Sequence, residues 1–144
     1  MLLLDDDSDF QIVFSLAFET RNIITIAFSS ALDGLQYLSA ARFLPAFVLL
    51  DLSMPGISGS EFIKRIRGEK KFKNIRVILI SGRNDIATIA EKCGADGFMA
   101  KPFGLEEIDR LVKEEDLWAK SRLAPNDDVN LICLPKPAQL KMTS

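Results

Sequence analysis

Short apolar runs alternate five times with helix-period segments along this chain, and each run ends on a polar or charged residue. Leu2–Leu4 runs into Asp5-Asp6-Asp7, and Ile23–Phe28 forms a second run. Phe47–Leu50 follows the break at Pro45 and ends at Asp51. Arg76–Ile80 ends at Ser81, and Gly97–Ala100 ends at Lys101-Pro102. The runs lack a two-residue alternation, as strands covered on both faces do. Strand and helix in strict succession predict a doubly wound α/β fold. The expected architecture is a five-stranded parallel sheet with helices on both faces, a (βα)5 three-layer sandwich. In such sheets ligands bind beyond the carboxyl ends of the strands.

The intervening segments carry helical stripes. Phe10, Val13, Phe14, Ala17 and Phe18 share one predicted face, and Ser8-Asp9-Phe10-Gln11 reads as a capping box opening that helix. Ala31, Leu32, Leu35 and Leu38 mark the second helix. Ser58-Gly59-Ser60-Glu61 reads as a capping box before Phe62, Ile63 and Ile66. Ile86, Ile89, Ala90 and Cys93 precede Gly94, placed as a helix C-cap. Leu105, Ile108, Leu111 and Val112 define a last helix to about Ala119. Residues 1–119 are read as one domain. Residues 120–144, with Pro125, Pro135 and Pro137, are read as a loosely packed tail in which Leu131–Leu134 is an apolar patch. Trp118 is expected to pack rather than bind, and Asp96 and Asp109 to be solvated acids.

Composition narrows the chemistry. The chain of 144 residues is 48% hydrophobic and 26% charged, with a net charge of −2 and spread basic residues. A nucleic-acid surface needs a clustered basic stripe, so none is expected. No histidine is present, which removes a zinc site and any phosphohistidine carried by this chain. The apolar runs are far below membrane-spanning length, and Met1–Leu4 has no basic n-region before it. A soluble cytoplasmic protein is expected, with no membrane partner and no DNA-binding domain after the last helix.

The strand ends should deliver Asp5, Asp6, Asp7, Asp51, Ser81 and Lys101 to one edge of the sheet. Crowded carboxylates repel one another, and a divalent cation relieves that repulsion. Oxygen ligands with open water positions suit Mg²⁺, with Mn²⁺ as a substitute. Such a centre can bind a phosphoryl group, with Asp51 as nucleophile, Ser81 donating from its hydroxyl and Lys101 pairing as a point charge. Asp7 reads as an acid at a helix N-terminus.

At these residues the sequence resembles the response-regulator receiver family of two-component signalling, the CheY-like domains with the flavodoxin-like fold. The segments that carry the resemblance are Leu4-Asp5-Asp6-Asp7, Val48-Leu49-Leu50-Asp51-Leu52-Ser53-Met54-Pro55-Gly56, Ile80-Ser81-Gly82, and Gly94-Ala95-Asp96-Gly97-Phe98-Met99-Ala100-Lys101-Pro102-Phe103. The resemblance covers Leu2 to about Leu117. It implies phosphorylation of Asp51 by a sensor histidine kinase or a histidine phosphotransfer protein. It implies Mg²⁺ on Asp6, Asp51 and the Ser53 backbone carbonyl, with Asp5 acting mainly through water. Ser81 matches the switch hydroxyl, Phe98 the switch aromatic, and Lys101-Pro102 the family's cis peptide. Ser53 and Arg83 occupy positions that modulate the lifetime of the phosphoryl group. A downstream effector protein would bind the fourth helix, fifth strand and fifth helix, with the chain a monomer or a phosphorylation-dependent homodimer. Self-dephosphorylation would be the limit of its hydrolytic activity.

The chain departs from the family pattern at Gly82, where alanine is frequent, and at Phe98, which lacks a tyrosine hydroxyl. Two alternatives stand beside this reading. One is an interaction module on the same fold that is never phosphorylated. The other is a receiver taken from a longer regulator or hybrid kinase. A haloacid-dehalogenase-like phosphatase is disfavoured, because the paired acids here precede the nucleophile in the chain.

Overall fold

A computed structural model describes the backbone of residues 1–123 and the side chains of residues 1–116. The expectations for Trp118 and for the segment from 124 to 144, with Leu131–Leu134, fall outside the described residues. The elements run β1 (Leu2–Leu4), α1 (Ser8–Glu19), β2 (Ile26–Phe28), α2 (Ala31–Ala40), β3 (Phe47–Asp51), α3 (Gly59–Gly68), a 3-10 turn (Lys70–Phe72), β4 (Arg76–Ser81), α4 (Ile86–Cys93), β5 (Gly97–Ala100) and α5 (Leu105–Leu123). The strands pair in the order β2-β1-β3-β4-β5. Every pairing is parallel. This is the doubly wound flavodoxin-like architecture that the alternation predicts.

The core divides by strand parity. Leu2, Leu4, Val48, Leu50, Val77, Leu79 and Phe98 face α2, α3 and α4. Leu3, Phe47, Leu49, Ile78, Ile80 and Met99 face α1 and α5. Successive side chains of a strand point to opposite faces, and here both faces are dry. That is why these strands read as unbroken apolar runs.

Local signals differ in how well they predict the elements. Gly94 caps α4 with φ +79, a left-handed conformation that glycine adopts without a Cβ clash. Ser58 caps α3, accepting from the Glu61 N–H at 3.2 Å. The expected capping box at Ser8 is not formed. Asp7 is the N-cap of α1, accepting from the amides of Asp9 and Phe10 at 3.0 and 3.1 Å. One carboxylate oxygen of Asp7 accepts both amides, so the helix starts one residue earlier than the box implies.

β2 is shorter than its apolar run. The amide of Ile23 donates back to the carbonyl of Phe18, closing the end of α1 through Asn22 at φ 59. Only Ile26–Phe28 face β1, whose three residues limit the ladder. Val13 and Leu32 also leave their expected faces, at 63% and 49% exposure. α1 seats on the sheet through Phe14 and Phe18, and α2 through Ala31, Gly34 and Leu38.

Candidate functional site

The chain leaves β1 to build β2 on one side and then crosses to build β3 on the other. Strand order therefore reverses between β1 and β3, and the crevice opens at their carboxyl ends. Asp5 and Asp6 follow β1 there, and Asp51 closes β3. One carboxylate oxygen from each of the three lies within 4.8 Å of the others.

Their surroundings differ. Asp5 is fully buried. One of its oxygens accepts the Asp7 amide at 2.9 Å, and the other accepts the Lys101 ammonium at 2.8 Å. Asp6 is exposed beside it. Asp51 is buried, with one oxygen accepting the Ser53 amide at 3.3 Å and the other 4.0 Å from Lys101 Nζ. Burial pushes the Asp51 carboxyl above its ordinary value; Lys101 and the Ser53 amide oppose that push, and the charges of Asp5 and Asp6 add to it. Three oxygen donors, two of them buried and with a single ammonium between them, make a hard donor set that fits a divalent cation such as Mg²⁺.

Ser81 ends β4 and is buried. Its Oγ accepts the Arg83 amide at 3.2 Å, which leaves the hydroxyl hydrogen for another acceptor. The Ser81 carbonyl accepts the Lys101 amide at 2.9 Å, tying the ends of β4 and β5 together. The Lys101-Pro102 peptide is cis. Phe98 lies in the core on the α2, α3 and α4 side. The Arg83 guanidinium is directed to Asp85, with two contacts of 2.8 Å on an exposed loop. The acidic cluster, Lys101 and Ser81 thus stand at the strand ends, while Phe98 is core and Arg83 points to its own loop.

Some roles were invisible in the sequence. Gln11, read as half of a capping box, donates instead to the Asp5 carbonyl at 2.5 Å and to Ser29 Oγ at 3.2 Å. It clamps the loops after β1 and β2, a contact that exists only once β2 lies beside β1. Phe10 places its ring 4.1 Å from Lys101 Nζ. Asp96, expected to be solvated, accepts the Val77 amide at 2.7 Å and pairs with Arg67 at 2.5 Å. Asp109 likewise pairs with Arg21 at 2.5 Å. A separate groove of about 560 Å³ lies away from the acidic cluster, between α3 and α4, lined by Ser60, Lys64, Arg67, Ile89, Lys92 and Cys93.

Comparison with known proteins agrees with this geometry. Residues 1–113 match the family model described as the response regulator receiver domain, so the chain belongs to that family. It is 32% identical over 116 residues to sporulation initiation phosphotransferase F of Bacillus subtilis, covering 79% of this chain and 90% of that protein. Seven further curated relatives are longer, and the chain spans 27% to 52% of their lengths. Among solved structures, the chemotaxis response regulator CheY4 of Vibrio cholerae superposes with a TM-score of 0.71 at 21% identity, covering 79% of this chain and 95% of that one. The receiver domain of the sensor histidine kinase PA1611 of Pseudomonas aeruginosa, solved with a magnesium ion coordinated in its active-site cleft, gives a TM-score of 0.69 at 19% identity, covering 78% and 93%. At these identities the two structures speak for the fold. Among the described residues, no helix is long and apolar enough to cross a membrane.

Proposed function

We propose that this chain is a phosphoacceptor switch, taking a phosphoryl group onto Asp51 from a phosphohistidine on a sensor kinase or phosphotransfer protein. The observation that carries this reading is the meeting of the Asp5, Asp6 and Asp51 carboxylates within 4.8 Å, with Lys101 2.8 Å from one and 4.0 Å from another. Asp6, Asp51 and the Ser53 carbonyl would hold Mg²⁺ directly, with Asp5 behind them. Bound there, the ion would neutralise phosphoryl oxygens and orient them for in-line attack.

The residues divide the remaining work. A carboxylate oxygen of Asp51 attacks phosphorus, forming an O–P bond as the P–N bond of the donor breaks. The electron pair stays on the imidazole nitrogen, and the imidazole leaves neutral or takes a proton from solvent. Lys101 compensates charge on one phosphoryl oxygen, and Ser81 donates its hydroxyl hydrogen to another. That bond would draw Ser81 inward and change the space available to Phe98, at 4% exposure in the adjoining core. The surface formed by α4, β5 and α5 would then rearrange, biasing two pre-existing states toward the one that binds an effector protein. Ser53 and Arg83 would tune how long the phosphoryl group survives. Turnover of outside substrates is not part of this reading.

The test is intact mass after incubation with Mg²⁺ and acetyl phosphate or phosphoramidate. A gain of about 80 Da is expected, one phosphoryl group. It should disappear in Asp51→Asn and when Mg²⁺ is omitted. Absence of any adduct in the native chain would leave the fold standing and make the protein a constitutive binding module.

A further inference from the structure

Lys101 is the only cation within 4.0 Å of the acidic cluster among the ion pairs of the described residues, and its placement decides what it can do. Its side chain is 27% exposed, on a stem with four rotatable bonds. One anchor is Asp5, at 2.8 Å. The other is the face of Phe10, whose ring centroid lies 4.1 Å from Nζ. A ring face carries partial negative charge and attracts an ammonium at this distance.

Phe10 is itself fixed from two sides. It stacks on Phe14, with centroids 4.0 Å apart and planes at 16°. Phe103 meets it nearly perpendicularly at 84° and 6.0 Å, and also meets Phe14 at 84° and 4.8 Å. Phe14 is buried, so the stack is footed in the core between the sheet and the helices α1 and α5. Phe103 follows Lys101 by two residues, so the segment carrying the lysine also supplies part of the stack that holds it.

We infer that Phe10 is a positioning residue for Lys101: its ring, braced by Phe14 and Phe103, holds the ammonium between Asp5 and Asp51 before a phosphoryl group arrives. The inference rests on the phosphoacceptor reading above. Held by Asp5 alone, the ammonium has more positions open to it around that carboxylate, and the ordering needed at each reaction would slow phosphorylation.

The test replaces Phe10 in the full chain by phenylalanines carrying increasing numbers of fluorines, which withdraw electron density from the ring face and leave its shape nearly unchanged. Phosphorylation by phosphoramidate is followed by intact mass, in the native and Lys101→Ala backgrounds. A separate readout in metal-free protein is the proton shift of the Lys101 ε-methylene, which a ring at this distance moves upfield. The shift should be present in the native chain and lost in Phe10→Leu. The rate should fall stepwise with fluorination, by about two- to fivefold across the series, with an unchanged thermal midpoint. In Lys101→Ala the series should be flat.

A flat series in the native background, with the protein still accepting phosphate, would overturn the inference. An equal decline in the Lys101→Ala background would also overturn it, by showing that the ring acts through packing. An unshifted ε-methylene would show that ring and ammonium do not meet. No adduct on the unmodified chain would overturn the phosphoacceptor reading itself, and the positioning role with it.

Discussion

Burial of Asp51 works against its own charge. The carboxylate is shielded from water at the end of β3, with two further acids in reach, so its proton is held more tightly than in an unfolded chain. The sign follows: a folded-state value above the unfolded one adds stability below the unfolded value, and that stability is lost as pH rises through the folded value. At neutral pH and without divalent cation, Asp51→Asn should therefore raise the thermal midpoint. Adding Mg²⁺ at ten times its Kd should stabilise the native chain by about 1.4 kcal/mol and so raise its midpoint, and should raise that of the variant less. Scanning calorimetry with and without EDTA checks both. At this scale Asp5, Asp6, Asp51, Ser81 and Lys101 were legible as candidates, because each closes an apolar run whose end the fold class places at a ligand edge. Gln11 and Phe10 were not. Both sit in a helical stripe, and the partners that give them a role, Ser29 and Lys101, come from other parts of the chain.

α2 rests on β1 through a missing side chain. A Cβ at Gly34 would stand 2.7 and 2.8 Å from the two methyl carbons of Leu4. Leu4 is fully buried, so its methyl groups have little room to retreat. Gly34→Ala sets a gain of about 1 kcal/mol in helix propensity against overpacking that costs about 1–3 kcal/mol. A net loss of up to about 2 kcal/mol is expected from urea unfolding. Gly68, the last residue of α3, has nothing within 4 Å of the same hypothetical atom. Gly68→Ala should instead stabilise by roughly 0.5–1 kcal/mol. At the scale of elements, the existence and order of the strands and helices followed from periodicity. Their limits followed from hydrogen-bond competition, as when the Ile23 amide serves α1 rather than β2.

The far end of the sheet carries a buried charge pair. Arg76, opening β4, lies 2.6 Å from Glu115 on α5, with side-chain exposures of 3% and 6%. Apart from that guanidinium, neither Glu115 oxygen has a hydrogen-bond partner among the described residues. Burial therefore outweighs the guanidinium and, with Asp96 and Glu114 adding like charge, pushes the Glu115 carboxyl up to about 7. The sign is that of a raised acid: stability is full below the unfolded value and declines as pH climbs through about 7. Within that window the slope from this group approaches about 1.4 kcal/mol per pH unit. Glu115→Gln removes the titration and keeps an oxygen facing Arg76, so its stability should vary less between pH 5 and pH 7.5 than that of the native chain, by roughly 1–3 kcal/mol. Chemical unfolding across that range checks it.

From sequence alone came the layering of the molecule, the parallel sheet, the edge where chemistry collects and the family resemblance. Those properties depend on near-neighbour patterning: apolar runs too continuous for a one-sided sheet, and the residues that end them. Tertiary structure alone decided that Asp7 rather than Ser8 caps α1, that Asp96 anchors β4, that Gln11 ties two loops, and that Phe10 and Asp5 share the Lys101 ammonium. Each of those outcomes is a competition for a donor or a charge. Most are settled by groups far apart in the chain; the cap of α1 turns on neighbouring residues, and was settled by backbone geometry that residue pattern alone does not give.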